Sequence, residues 1–174
     1  MPRRYFNDHD FKIISEALDI AEDATGDYYR FSLEQWKRHR YDIKTLWSLD
    51  NNEVSQHAFA VLNWGSMVTV DHVLNSSVRD FFFICLQDHI ILNAVARDSN
   101  IALLPILVYV FTHELVHIVR FSNFVQRVDV PANKREKEER IVHELTFNIL
   151  KNLPVPKLYY VLDRYQGHRI CDFG

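Results

Sequence analysis

The segment from Leu104 to Phe121 constrains the fold more than any other part of this chain. It is apolar on nearly every side of the helix that it is predicted to form, and Pro105 suits the first turn of that helix. A helix that is apolar all round is buried, so we expect this one at the centre of the fold. Its middle nevertheless carries His113, Glu114 and His117. Buried groups of this kind are unfavourable unless they are paired or bind a metal.

The spacing of these three residues indicates a metal site. Residues four apart share one face of an α-helix, so His113 and His117 can direct two imidazoles at one ion. Glu114 is then placed to act as general base on a water in the open position of a catalytic zinc site. This is the physical content of the H-E-x-x-H pattern. The alternative is a buried polar network that ties the helix to its neighbours.

A third ligand must come from elsewhere, and the charged helix predicted over Lys134 to Asn152 offers candidates. Glu139 and His143 are four apart and share a face. We favour Glu139 as the ligand and His143 as its neighbour, which would donate to the ligand or to the substrate oxyanion. The reverse assignment stays open, and Glu138 is a third candidate. Glu139 could also be an exposed member of a charged run.

His113-Glu114-x-x-His117 followed by a glutamate on a later helix resembles the gluzincin branch of the zincin metallopeptidases, of which thermolysin is the familiar example. The resemblance covers about residues 80–150, and the chain length is similar to that of the minimal, single-domain members. It implies a β-sheet before the motif helix, a zinc ion and a peptide or protein substrate. The sequence departs from the thermolysin pattern where His143 stands in place of an aspartate. It also lacks the glycine and third histidine of the metzincins.

Helices are predicted for much of the remaining chain. Apolar residues at helical spacing indicate a helix over residues 10–23, closed by Thr25-Gly26. Ser32 and Gln35 resemble a capping box for a helix over residues 32–49, and a third helix is predicted over residues 54–67. In the later helix, Asn133 and Glu136 have the spacing of a capping box.

One segment is predicted to be β-structure. Residues 80–86 and 89–95 are rich in aromatic and branched side chains and indicate a hairpin around Gln87-Asp88, although the same apolar run could also be a buried helix. Asp88 and His89 are then expected at a surface turn. The fold class is therefore α+β: a mostly helical single domain over residues 1–174, with a helical N-terminal part (1–75) and a small sheet packed on the motif helix (80–152).

The composition limits the binding partners and the cellular compartment that we expect. A net charge of -3 gives no reason to expect nucleic acid or an anionic membrane as partner. Two cysteines are too few for a disulfide framework, and the N-terminus lacks an apolar leader, so we expect a cytoplasmic protein. Cys85 is predicted to be a core residue. Four C-terminal residues are further candidates for an oxyanion donor or for packing: Tyr159, Tyr160, Tyr165 and His168.

The sequence thus predicts a zinc-dependent hydrolase, most simply a metallopeptidase. Zinc would be bound by His113, His117 and Glu139, with Glu114 and His143 in catalytic roles. The alternative is a zincin-like protein that binds metal for a structural or regulatory purpose without turnover. The oligomeric state and the substrate are not indicated.

Overall fold

A computed structural model describes residues 3–36, 40–70, 76–124, 132–165 and 171–173. Its helices and strands, in chain order, are α1 (Asp8–Tyr29), α2 (Leu33–Trp36), β1 (Arg40–Lys44), β2 (Ala60–Val70), β3 (Ser76–Leu86), α3 (Asp88–Arg97), α4 (Leu103–Phe124), α5 (Ala132–Leu150), α6 (Leu158–Tyr165) and β4 (Cys171–Phe173). Two short 3-10 turns, Leu46–Ser48 and Asn51–Glu53, connect β1 to β2. The predicted α+β class, a mainly helical single domain with a small sheet, is confirmed.

The predicted central helix is confirmed as α4. Helices α1, α3, α5 and α6 and strands β2 and β3 all contact it, and every residue from 105 to 119 is buried. By length and composition alone α4 could cross a membrane over Leu103–Ser122, but 83% of that window is buried inside the fold. Its apolar surface is therefore covered by the other elements of the chain.

The sheet has the strand order β1-β3-β2-β4. Strands β2 and β3 are antiparallel, with Ala60 opposite Leu86, while β1 runs parallel to β3 and β4 parallel to β2. The hairpin partner of β3 is thus the strand before it. The prediction of a strand at residues 80–86 is confirmed, whereas the predicted partner strand at residues 89–95 is wrong.

Residues 88–97 instead form helix α3, which was the alternative for this apolar run. The Gln87 side chain accepts from the Ser55 N–H at 2.9 Å and donates to the Glu53 carbonyl at 2.9 Å. The Asp88 carboxylate accepts from the backbone N–H groups of Phe6 and Leu46 at 3.1 and 2.9 Å. These bonds, made to distant parts of the chain, fix Gln87 and Asp88 at the start of the helix. The prediction of a surface turn is wrong, because Asp88 is buried.

The N-terminal part differs from its prediction. Helix α1 continues through Thr25-Gly26 to Tyr29, and the lack of a side chain at Gly26 makes room for Trp36, whose indole nitrogen would lie 2.5 Å from a Cβ there. The Ser32–Gln35 capping box is present, with bonds of 2.7 and 3.3 Å. The helix that it starts, however, ends at Trp36. Strand β1 and a 3-10 turn lie within the helix predicted at residues 32–49, and β2 begins within the helix predicted at residues 54–67, so residues 1–75 are not an all-helical part.

Helix α5 agrees with the predicted helix at residues 134–152 but begins at Ala132. Asn133 therefore lies inside the helix, where its side chain accepts from the Lys134 N–H at 2.9 Å. The predicted Asn133–Glu136 capping box is wrong for this reason. Helix α5 packs on α4, and this contact brings the two sets of candidate ligands together.

Candidate metal centre

Helix α4 holds the two histidines side by side. Their Nε2 atoms are 3.1 Å apart and their ring centroids 4.8 Å apart. Both residues are fully buried. The pairing follows directly from the helix, since residues four apart lie one turn above each other on the same face.

Helix α5 brings Glu139 to the same point. Its Oε1 lies 3.1 Å from Nε2 of His117, and its Oε2 lies 3.4 Å from Nε2 of His113. Glu139 is buried, with 8% of its surface exposed, so it is not a solvated member of the charged run. Three of the five residues predicted for the site, two from one helix and one from another, therefore converge.

The spacing of these donors fits a tetrahedral metal ion. With metal–nitrogen and metal–oxygen bonds of about 2.0–2.2 Å, neighbouring ligand atoms of a tetrahedral zinc site lie about 3.3–3.6 Å apart. Here the two imidazole nitrogens are 3.1 Å apart, Oε1 of Glu139 is 3.1 Å from His117 and Oε2 is 3.4 Å from His113. Imidazole and carboxylate are also ligand types that zinc accepts. The donor set thus fits zinc by its chemistry, and its separations are close to the tetrahedral values.

The contacts of Glu139 are short but poorly directed for hydrogen bonds. Neither of its carboxylate oxygens has a hydrogen bond of acceptable geometry among the described residues, although both lie within 3.4 Å of an imidazole nitrogen. An ion between the imidazole nitrogens and the carboxylate would provide the missing partner for these oxygens. Nδ1 of His113 also makes no hydrogen bond to the described residues.

The surroundings favour the metal-binding protonation states. Burial lowers the pKa of His113 to about 4, which keeps its imidazole neutral near pH 7. Burial by itself raises the pKa of the Glu139 carboxyl, but the adjacent imidazoles of His113 and His117 outweigh it and hold that pKa well below its ordinary value. A neutral imidazole and an ionised carboxylate are the forms that ligate a metal.

His143 stands beside this set and is joined to a residue that the sequence analysis missed. Its Nε2 is 4.0 Å from Oε2 of Glu139, and its Nδ1 is 3.2 Å from the Tyr109 hydroxyl. The imidazole nitrogens of His113 and His143 and a Glu139 oxygen all lie within 4.8 Å of one another. Tyr109 is four residues before His113, on the same face of α4, so its spacing could have marked it.

Glu138, the third candidate ligand, is engaged elsewhere. Its carboxylate receives two hydrogen bonds from Arg120 of α4, from Nε at 2.5 Å and from Nη2 at 2.8 Å. A bidentate pair of this kind uses both carboxylate oxygens. The structure therefore separates the two neighbouring glutamates, with Glu138 bonded to an arginine and Glu139 facing the histidines.

Glu114 is fully buried one residue from His113. Its charge is one of those that act on the Cys85 thiol of β3. Burial, the Glu53 charge and, to a smaller extent, the Glu114 charge raise the pKa of Cys85 to about 12. Such a thiol stays protonated and unreactive, which agrees with the prediction of Cys85 as a core residue.

The three C-terminal tyrosines differ in their exposure and hydrogen bonds. Tyr159 is exposed, and the Tyr160 hydroxyl donates to Asp98 at 2.6 Å. Tyr165 approaches the site through its backbone, since its carbonyl oxygen accepts from the Tyr109 hydroxyl at 3.3 Å. His168 lies outside the described residues.

Among the described residues, the parts of the cluster that reach the surface belong to α5. His113, Glu114 and His117 have no exposed surface, whereas the side chains of Glu139 and His143 are 11% and 12% exposed. A separate aromatic pocket of about 380 Å³, lined by residues including Tyr5, Phe11 and Trp47, shares no residue with the cluster. Its one acidic residue, Asp88, is already bonded to backbone N–H groups. The chemistry of the described residues is therefore concentrated at the α4–α5 cluster.

Comparison with known proteins adds no relative: no protein-family model, curated protein or solved structure matches this chain. The functional argument therefore rests on the residues of the cluster.

Proposed function

We propose that this protein is a zinc-dependent hydrolase that cleaves peptide bonds. The observation that carries the proposal is the convergence of His113, His117 and Glu139, whose two imidazole nitrogens and two carboxylate oxygens lie at 3.1 to 3.4 Å from one another in the pairs measured, close to the separations of ligand atoms around one tetrahedral ion. Three protein ligands leave a fourth position for water, the arrangement of catalytic rather than structural zinc sites.

The residues of the chain have distinct tasks in this reaction. Bound zinc would lower the pKa of its water towards neutrality and polarise the substrate carbonyl. Glu114, next to the first ligand in the sequence, would serve as the base for that water and as the acid for the leaving amine. His143 borders the cluster on the α5 side, where it can interact with a substrate that enters from the partly exposed edge.

A second candidate is a metal-binding protein without turnover. The observation that favours it is the nearness of His143, which could supply a fourth donor and close the coordination sphere. Glu114 argues against this candidate. It is buried and follows His113 directly in the sequence, and a closed structural site does not need a carboxylate base there. The hydrolase is therefore the better supported candidate.

The partners and the localisation of the protein remain predictions. The net charge of -3 favours neither nucleic acid nor an anionic membrane as partner, and we propose a peptide or protein substrate. Cytoplasmic localisation likewise remains a prediction.

Metal analysis together with one substitution tests the function. The protein purified without chelators should contain one zinc per chain, and His113→Ala should contain none. Glu114→Gln should keep the zinc and lose peptide hydrolysis by about 100-fold or more, since general acid–base catalysis contributes about 10²–10⁴. Zinc content is measured by mass spectrometry, and hydrolysis with a fluorogenic peptide library.

Glu144→Gln, an exposed change on α5, is the matched control and should keep both zinc and activity. Equal hydrolysis by wild type and Glu114→Gln would show that Glu114 is not the base or that a contaminant cleaves the peptide. A zinc-loaded wild type that cleaves nothing in the library would favour the non-enzymatic candidate.

A further inference from the structure

Tyr109, His143 and the backbone of Tyr165 form a short hydrogen-bonded chain beside the cluster. The Tyr109 oxygen is 3.3 Å from the Tyr165 carbonyl oxygen and 3.2 Å from Nδ1 of His143. It connects α4 to both α5 and α6, and both of these helices pack on α4.

When both hydrogen bonds of the Tyr109 hydroxyl are made, only one arrangement of their protons is possible. A carbonyl oxygen can only accept, so the bond to Tyr165 must use the single hydroxyl proton of Tyr109. The hydroxyl oxygen can then only accept from His143, which requires a proton on Nδ1 of that imidazole. In neutral His143 the remaining nitrogen, Nε2, carries a lone pair.

This lone pair faces the metal cluster. Nε2 of His143 lies 4.0 Å from Oε2 of Glu139, and the His143 ring centroid is 4.8 Å from that of His113. Tyr109 itself is 2% exposed, and burial together with the Glu139 charge raises the pKa of its phenol. The Tyr109 hydroxyl therefore stays protonated and can keep donating to the Tyr165 carbonyl.

We propose that Tyr109 is a positioning residue that holds His143 in the Nδ1–H tautomer and so presents the Nε2 lone pair to the metal cluster. Neutral His143 can then bind the metal or accept a proton through Nε2, but it cannot donate a hydrogen bond to a substrate oxygen from that atom. The inferred tautomer follows from the hydrogen bonds of Tyr109 and does not require the protein to be an enzyme. Only the role of His143 in hydrolysis rests on the proposed function.

The tautomer is read directly by NMR. Long-range ¹H–¹⁵N spectra of ¹⁵N-labelled protein distinguish an Nδ1–H from an Nε2–H imidazole, and His143→Gln identifies the signals. At about pH 8, well above the ordinary histidine pKa of about 6.5, wild-type His143 should be the Nδ1–H form with and without added zinc. In Tyr109→Phe the Nδ1 proton loses its acceptor, so the Nε2–H form should become substantially populated.

Tyr160→Phe is the matched control, because it removes a tyrosine hydroxyl bonded to Asp98 at 2.6 Å and should leave His143 unchanged. Amide spectra of Tyr109→Phe that match wild type outside the site would show that the variant is folded. Should Tyr109→Phe fail to fold, the wild-type spectrum alone decides, since an Nε2–H tautomer there would overturn the inference. An unchanged Nδ1–H tautomer in folded Tyr109→Phe would overturn it as well.

The proposed zinc hydrolase and the proposed role of Tyr109 can be contradicted independently. Zinc content and peptide hydrolysis test the metal site, whereas the His143 tautomer is measured on the metal-free protein too. A protein that binds no zinc but shows the Nδ1–H form would contradict the proposed function and leave the role of Tyr109 standing.

Discussion

At the scale of single residues, Glu139 decides whether two neighbouring histidines become a metal site. His113 and His117 are paired by their helix alone, but two imidazoles make only half of a tetrahedral sphere. Glu139 adds the third donor and a negative charge within 3.4 Å of both rings. We therefore expect metal binding to depend on its charge and not merely on its volume.

Glu139→Gln should bind zinc far more weakly than wild type, because the amide keeps the shape of the side chain but loses its charge. His143→Gln should keep zinc with an affinity about 10 to 100-fold weaker, the usual effect of losing a residue that supports a ligand. Isothermal titration with zinc measures both. Glu136→Gln, an exposed change on the same helix, is the control. Tight zinc binding by Glu139→Gln and none by His143→Gln would reverse the two roles.

At the scale of elements, the site depends on how α5 is held against α4. The Arg120–Glu138 pair joins the two helices one residue away from Glu139. Both side chains are largely buried, at 18% and 9% exposed, so the pair is more rigid than a surface salt bridge. Since Glu138 and Glu139 are consecutive, fixing the first also fixes the position of the second along α4.

Arg120→Ala and Glu138→Ala should each lower the free energy of unfolding by about 1–3 kcal/mol, because each leaves a partly buried charged group without its partner. Both should also weaken zinc binding, although neither residue is a ligand. Chemical denaturation and zinc titration measure the two effects, with Arg140→Ala, an exposed change on α5, as control. The double variant should lose less than the sum of the single losses. Strictly additive losses, or unchanged zinc affinity, would contradict a positioning role.

At the scale of the whole molecule, we expect the cluster to make stability depend on pH and, if the proposed zinc binds, on metal. The metal-free fold keeps His113 neutral down to a pKa of about 4, whereas the unfolded chain protonates it near its ordinary value of 6.5. The pKa of Glu139 is lowered too, so the unfolded chain also takes up its proton first. In both cases the unfolded state binds more protons as the pH falls, and stability must decrease.

The metal-free protein should therefore lose stability steadily between about pH 6.5 and 4 because of His113, and further below about pH 4.5 because of Glu139. Zinc at about 100 times its Kd should add about 2.7 kcal/mol at neutral pH. Thermal melts from pH 8 to pH 4, with and without zinc, measure both effects. His9→Gln, an exposed change, should leave the profile unchanged, and His113→Phe should flatten it between pH 6.5 and 4. A wild-type profile as flat as that of His113→Phe would contradict the burial of a neutral imidazole.

The sequence by itself determined the parts of this protein that depend on local pattern. Helices α4 and α5 were predictable because their apolar or amphipathic runs are longer than a strand, and helical spacing alone pairs His113 with His117. The strand at residues 80–86 was predictable from its run of aromatic residues. The shared face of Glu139 and His143 was also a local inference.

Tertiary structure decided what local pattern leaves open. Residues 88–97 became a helix because Gln87 and Asp88 bond to groups 32 to 82 residues away in the chain. Residues 60–70 became a strand because they pair with β3. Glu138 and Glu139 are neighbours of identical chemistry, and only the packing of α5 on α4 gives one to Arg120 and the other to the histidines. In each case the deciding partner is distant in sequence, so no pattern within the segment could contain it.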